Sequence, residues 1–149
     1  MTLKNLADIG RLKPHSVTAK ELARLVDSAA ISLADAKKDA IHATSRFDLA
    51  YKSLMQSALA ALMANGYRPS THEPGHQQTT IQTLPKTIGL PGEKLRLFDG
   101  FRRARNLADY EGNPVEDRLV KECIGAAERL LADVRAWVKK NRPDLTADP

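Results

Sequence analysis

The chain has 149 residues, a formal net charge of +5, 28% charged and 42% hydrophobic residues. This is the size of one ordinary domain, and no apolar run reaches the ~18 residues that a membrane helix needs. A single cysteine, Cys123, excludes an internal disulfide framework or a thiolate metal site, and one Trp, three Tyr and three Phe are too scattered to form a base-stacking sheet platform.

In chain order, residues 1–13 read as a short amphipathic helix on Leu3, Leu6, Ile9 and Leu12, closed between Gly10 and Pro14. Lys4, Asn5 and Asp8 interrupt its apolar positions, so it lacks the hydrophobic stretch of a secretory signal, and a cytoplasmic location is expected. Ser16 or Thr18 caps the next helix, Thr18 with Glu21 as a capping-box pair, and over 18–40 Leu22, Leu25, Val26, Ala29, Leu33, Ala36 and Ala40 recur at helical period. A second helical pattern runs over 44–64 on Phe47, Ala50, Tyr51, Leu54, Ala58 and Leu62. Neither Gly nor Pro lies between Val17 and Asn65, so the two patterns are one long helix or two joined near 42–45. Asn65-Gly66 is a stop signal.

Residues 66–92 are punctuated by Pro69, Pro74, Pro85 and Pro91 and by four glycines. They read as a long, mostly irregular segment with a turn or two of helix around Ile81, Leu84 and Ile88. A loop of that length in a small domain is usually functional. A helix over 93–110, a turn at Gly112-Asn113-Pro114 and a last helix over 115–140 complete the pattern, and 141–149 reads as a disordered tail. No stretch alternates as a strand does. The expected fold is all-α, an antiparallel four- or five-helix bundle over 16–140 behind an N-terminal arm of 1–15. Cys123, among apolar neighbours, reads as a buried structural thiol.

The densest chemistry lies between Arg102 and Tyr110. On a helix at ~100° per residue, Leu97, Phe101, Ala104 and Ala108 form an apolar stripe, and Arg102, Arg105 and Asp109 line up with Phe98 about a quarter-turn away. Such a position borders a cleft or a partner. Arg105 and Asp109 are spaced as an ion pair, although the opposite order would stabilise a helix better. Counted against that one carboxylate, Arg102, Arg103 and Arg105 leave an excess of positive charge suited to a phosphate.

The order of three segments resembles the HEPN superfamily, small all-helical domains of prokaryotic toxins and RNA-processing systems. They are Ala50-Tyr51 with Ala58 to Leu62 and Gly66-Tyr67-Arg68; Gly75-His76 with Ile81, Leu84 and Gly89; and Arg102 to Tyr110 with Gly112 and the long final helix. The resemblance spans roughly 30–138. It implies a dimeric bundle that binds RNA or a nucleotide phosphate at a cleft. In active members it implies a metal-independent endoribonuclease of a toxin–antitoxin or defence system, with no cofactor. Those members carry an Arg followed four to six residues later by a His. By that resemblance the catalytic candidates are Arg102, Arg105, Asn106, Asp109 and Tyr110, with Arg103 and His76 as binding residues.

The chain departs from the motif at the His. Asp109 and Tyr110 stand where it would fall, and at their ordinary pKa values of ~3.9 and ~10 neither is a good base at neutral pH. His76 is the candidate brought in from elsewhere. His72 and His76 have the spacing of a zinc pair, but Pro74 and Gly75 between them spoil the helical geometry, so no metal site is expected. The missing His equally motivates a non-catalytic interaction module partnered with a nucleotidyltransferase or an antitoxin, with Tyr110 as a modification site. A DNA-binding helical regulator fits less well, since no short recognition helix after a tight turn stands out.

Overall fold

The computed structural model describes residues 1–72 and 74–146. Helix α1 (Leu3–Asp8) starts at Thr2, whose Oγ1 accepts the Asn5 N–H at 3.0 Å. The helix predicted over 1–13 stops at Asp8, because Gly10 turns the chain at φ +82°. Leu12–Pro14 then forms strand β1, paired antiparallel with β2 (Tyr67–Pro69), Lys13 opposite Arg68. Leu12 is buried from this strand. Three-residue strands ending in proline carry no period-two pattern to read, which is why the sequence showed none.

Helix α2 (Ala19–Ala36) has half of the expected capping box. Thr18 Oγ1 accepts the Glu21 N–H at 3.1 Å, but the Glu21 carboxylate turns to His15 Nε2 at 2.9 Å. The helix ends four residues before the predicted Ala40. Arg46 Nε donates to the Ala36 carbonyl at 2.7 Å, filling one of the acceptors left at that end. Two helices therefore stand where one long one was possible, and α3 (Ala43–Ala64) packs along α2 and along α7 (Asp117–Asn141). Alanine and serine at Ala50, Ser53, Ser57, Ala58, Ala60, Ala61 and Ala64 bury α3 nearly all round. Ser53 Oγ donates to the Ala29 carbonyl of α2 at 2.8 Å.

The proline-rich segment is more ordered than its composition suggests. Gly66 turns out of α3 at φ +91°, β2 follows, then α4 (His76–Gln82) and α5 (Leu84–Thr87). Helices this short do not hold in isolation. Here Ile81 and Leu84 are buried, and Thr80 and Thr83 donate to the carbonyls of His76 and Thr80. Helix α6 (Lys94–Glu111) ends at Gly112, φ +70°, whose N–H returns to the Ala108 carbonyl.

The predicted tail also corrects. Pro143–Leu145 forms a 3₁₀ turn, Leu145 is buried against the bundle, and Arg142 Nη1 donates to the Ala64 carbonyl at 2.7 Å. Residues 147–149 of that predicted tail lie outside the described residues. Among the described residues the architecture is thus mostly helical with one small two-stranded ribbon. No helix among the described residues is long and apolar enough to cross a membrane. Cys123 is buried, and burial pushes its thiol up to about 12, where it stays protonated and unreactive.

Candidate functional site

Three phenylalanines decide how α6 sits. Phe101 is fully buried edge-on to Phe47 of α3, ring centroids 6.2 Å apart, and Phe98 stacks beside Phe101 at 6.4 Å. The buried stripe is Phe98, Phe101 and Ala108, whereas Leu97 and Ala104 are only half-buried. The helix is rotated from the predicted register toward Phe98, because two aromatic rings remove more apolar surface from water than Leu and Ala do. Arg105, one turn beyond Phe101, is carried inward by that rotation.

The six α6 candidates separate accordingly. Arg102 Nε and Arg103 Nε both contact the Asp99 carboxylate, at 2.8 and 3.1 Å. Asp99, a turn earlier, adds a second carboxylate to the count, so three arginines face two carboxylates and the excess of positive charge falls to one. Asn106 is half-exposed, and Tyr110 is 87% exposed on the outer surface with Leu107 at 51%. Neither Asn106 nor Tyr110 lines the cleft described next.

Arg105 opens onto a cleft of about 420 Å³ between α3, α4 and α6. Its guanidinium lies 5.3 Å from the centroid of the Tyr51 ring, and its Nε is 3.8 Å from Asp109 Oδ2. The contact with Asp109 is long, so the guanidinium keeps donors to spare. His76, the first residue of α4, lines the same cleft, as do Asp48 and Lys52. Leu49, Met55, Leu59 and Pro69 give it an apolar wall. Arg105 and His76 come from segments that the sequence separates by the whole α4–α5 region, and the fold brings both to one cavity. His76 also borders a second hollow of about 250 Å³ shared with Arg11 and Ser70.

Two groups here were not singled out by sequence for chemistry. Tyr51 donates its hydroxyl to Gln77 Oε1 at 2.9 Å, and burial, partly opposed by Arg105, pushes its phenol up to about 12. It is a neutral wall that holds Arg105 on one side and α4 on the other. Asp48, one turn before Tyr51, has its carboxyl raised above the ordinary range by burial first and by the charge of Asp109 second, with Arg105 acting against both. A carboxylate directly after Phe47, a core ring of α3, was the available signal. Among the described residues, no group of three or more His, Cys, Asp or Glu is placed to hold a metal ion. His15 serves as a local pin for Glu21 rather than a member of the cleft.

Chemically, the cleft offers one guanidinium with free donors, the Lys52 ammonium, an imidazole, a raised carboxyl and an apolar wall. That set suits an anionic ligand with an apolar part. No protein-family model, curated protein or solved structure matches the chain.

Proposed function

We propose that the chain is a HEPN-like dimeric protein that binds RNA or a nucleotide phosphate at the Arg105 cleft. The observation that supports this is the convergence of Arg105 and His76 on one cavity beside Tyr51. A guanidinium can hold two phosphate oxygens at once. The missing motif histidine then has a stand-in from α4 rather than from α6. In that arrangement Arg105 holds the scissile phosphate and stabilises its developing charge, and His76 takes the 2′-OH proton. The attacking 2′-oxygen forms the new P–O bond, the 5′-oxygen departs, and a 2′,3′-cyclic phosphate remains. Tyr110, exposed and outside the cleft, has no part in this chemistry.

The experiment is incubation of the purified chain with total RNA in EDTA beside Arg105→Ala and His76→Ala, with RNA binding followed in parallel. Cleavage by the parent chain alone supports the endoribonuclease. Binding lost in Arg105→Ala without cleavage by any form supports a binding protein. Binding and cleavage both unchanged in Arg105→Ala overturn the assignment.

One observation favours a second reading, an interaction module without catalysis. Tyr110 and Leu107 present an exposed aromatic and aliphatic pair on the outer face of α6. A cognate nucleotidyltransferase or antitoxin could dock there and modify Tyr110. Intact mass after coexpression with a candidate partner tests it: an adduct that disappears in Tyr110→Phe supports it, and an unmodified mass with no co-eluting complex counts against it.

A further inference from the structure

The Arg105 cleft has a polar neighbour. The hollow of about 250 Å³ beside it is lined by Arg11, Ser70, His76, Gln78, Thr79 and Gln82. His76 borders both cavities. Pro69 and Gln77 line the cleft where the residues next to them, Ser70 and Gln78, line the hollow. The β1–β2 ribbon fixes the hollow's cation. The Ser70 N–H donates to the Arg11 carbonyl at 2.9 Å, which sets Arg11 opposite Ser70, one step beyond the Leu12–Pro69 pair. Side chains alternate along a strand, so Arg11 and Lys13 lie on the face away from the buried Leu12, and Lys13 stands directly opposite Arg68. Like charges directly opposite weaken a strand pair. Charge protects a strand edge from stray pairing, but a mixed pair does so without that cost. Among the described residues, none of Arg11, Lys13 and Arg68 forms an ion pair, not even with Asp8, three residues before Arg11. The segments 11–15 and 66–82, which build the ribbon and the rim of the hollow, hold these three cations against one acid, Glu73, an excess of two. Glu73 lies outside the described residues.

Two adjoining cavities, each with an arginine, suit a ligand that carries two phosphates. Arg105 and Lys52 line the first, Arg11 the second, and His76 stands between them. We propose that Arg11 holds a second phosphate of a single-stranded RNA whose neighbouring phosphate lies at Arg105, and that the strand continues over Lys13 and Arg68. The ribbon is what selects a strand over a free nucleotide. Arg11 and Lys13 are two residues apart on one strand face, roughly 6–7 Å along it, close to the spacing of successive phosphates in an extended single strand. A nucleotide with two phosphates would fill the cleft and the hollow and leave Lys13 and Arg68 facing each other without an anion. Cavities of about 420 and 250 Å³ let a flexible strand dip into them, which the stiff rod of a duplex cannot do. A groove of positive charge that follows the backbone is the usual way to hold a single strand without reading its bases. The strand assignment deepens the phosphate reading above; it rests on that reading for the phosphate at Arg105 and on the ribbon for the others.

The test is fluorescence anisotropy of the full chain with labelled 2′-O-methyl dodecauridylate, a single strand that cannot be cut through its 2′-oxygen, over a series of salt concentrations. AMP and adenosine 3′,5′-bisphosphate serve as unlabelled competitors. Arg11→Ala is expected to weaken the strand by about 10-fold, the worth of a hydrogen bond to a charged group. It is also expected to lower the slope of log affinity against log salt by about 0.7, one phosphate contact on a single strand. AMP affinity is expected to stay unchanged. Arg11→Lys is expected to keep the slope, which a misfolded chain would not. Replacing Lys13 and Arg68 together by Ala is expected to lower the slope for the strand again and to leave the bisphosphate alone. Unchanged strand affinity and slope in Arg11→Ala overturn the second phosphate subsite, and so does an equal loss for AMP, which would put both arginines on one phosphate. A bisphosphate that binds as tightly as the strand, with no loss in the Lys13 and Arg68 double variant, replaces RNA by a free nucleotide. Displacement by polyglutamate as readily as by unlabelled strand replaces it by an acidic polypeptide. Loss confined to Arg105→Ala keeps the phosphate reading and removes the ribbon. Loss in Arg11→Ala and the double variant but not in Arg105→Ala keeps the ribbon and removes the phosphate reading. No binding of the strand to any form removes both.

Discussion

Two basic–acidic groupings lie within three turns of α6 and meet opposite fates. In the first, Arg102 and Arg103 share the Asp99 carboxylate at 2.8 and 3.1 Å, one anion between two cations. In the second, Arg105 touches Asp109 only at 3.8 Å and leans on the Tyr51 ring beside Asp48, whose Oδ1 stays unpartnered. The residue types are the same, and so is the helix. The first grouping is local, set by i, i+3 and i, i+4 spacing on the surface. The second is tertiary, set by which way Phe98 and Phe101 turn the helix. Surface ion pairs set by local spacing contribute little to stability, whereas Arg105 lines a cavity where a ligand can reach it.

The largest effect comes from breaking what both groupings share. Phe101→Ala removes the fully buried ring that seats α6 on Phe47. It is expected to destabilise by about 3–5 kcal/mol, read as a large fall in the thermal midpoint, with loss of ligand binding as α6 loosens.

Next comes the contrast itself. Arg105→Ala is expected to weaken RNA or nucleotide binding by about 10- to 100-fold, the worth of a hydrogen bond to a charged group. Arg102→Ala, whose partner is Asp99, is expected to change affinity less than about threefold. Fluorescence anisotropy at two salt concentrations measures both. The phosphate contact also predicts a shallower salt slope for Arg105→Ala, because fewer counterions are released on binding. Equal losses from the two substitutions would erase the distinction between the groupings.

A smaller effect sharpens the account of the second grouping. Asp48 has a raised folded-state pKa, from burial and from Asp109. The folded state therefore binds this proton more tightly than the unfolded chain. The stability linked to it is fully present below the unfolded value of ~3.9 and is lost as pH rises through the higher folded one. Above that window the ionised carboxylate is a cost, so Asp48→Asn is expected to raise the thermal midpoint at pH 7. The gain should shrink as the pH is lowered through the carboxylate range. The smallest effect belongs to the outer face: Tyr110→Ser is expected to leave stability within about 0.5 kcal/mol, in thermal or denaturant melts.

Much of this molecule was legible in one dimension. Helical periodicity placed α2, α3, α6 and α7, the Thr18 cap and the Asn65-Gly66 and Gly112 stops, because these are local regularities of backbone hydrogen bonding and one-sided burial. Arg105 and His76 stood out as candidates before any fold was known. Only tertiary structure decided that they share a cavity while Tyr110 faces outward, and that Asp99 takes up Arg102 and Arg103. It likewise decided that β1 pairs with β2, and that α4, α5 and the Pro143–Leu145 turn are ordered, since elements of three to seven residues owe their shape to the surfaces that bury them. Asp48 was invisible for the same reason. Its significance lies in a missing partner, and a missing partner is a property of the space around a residue, which the order of residues along the chain does not contain.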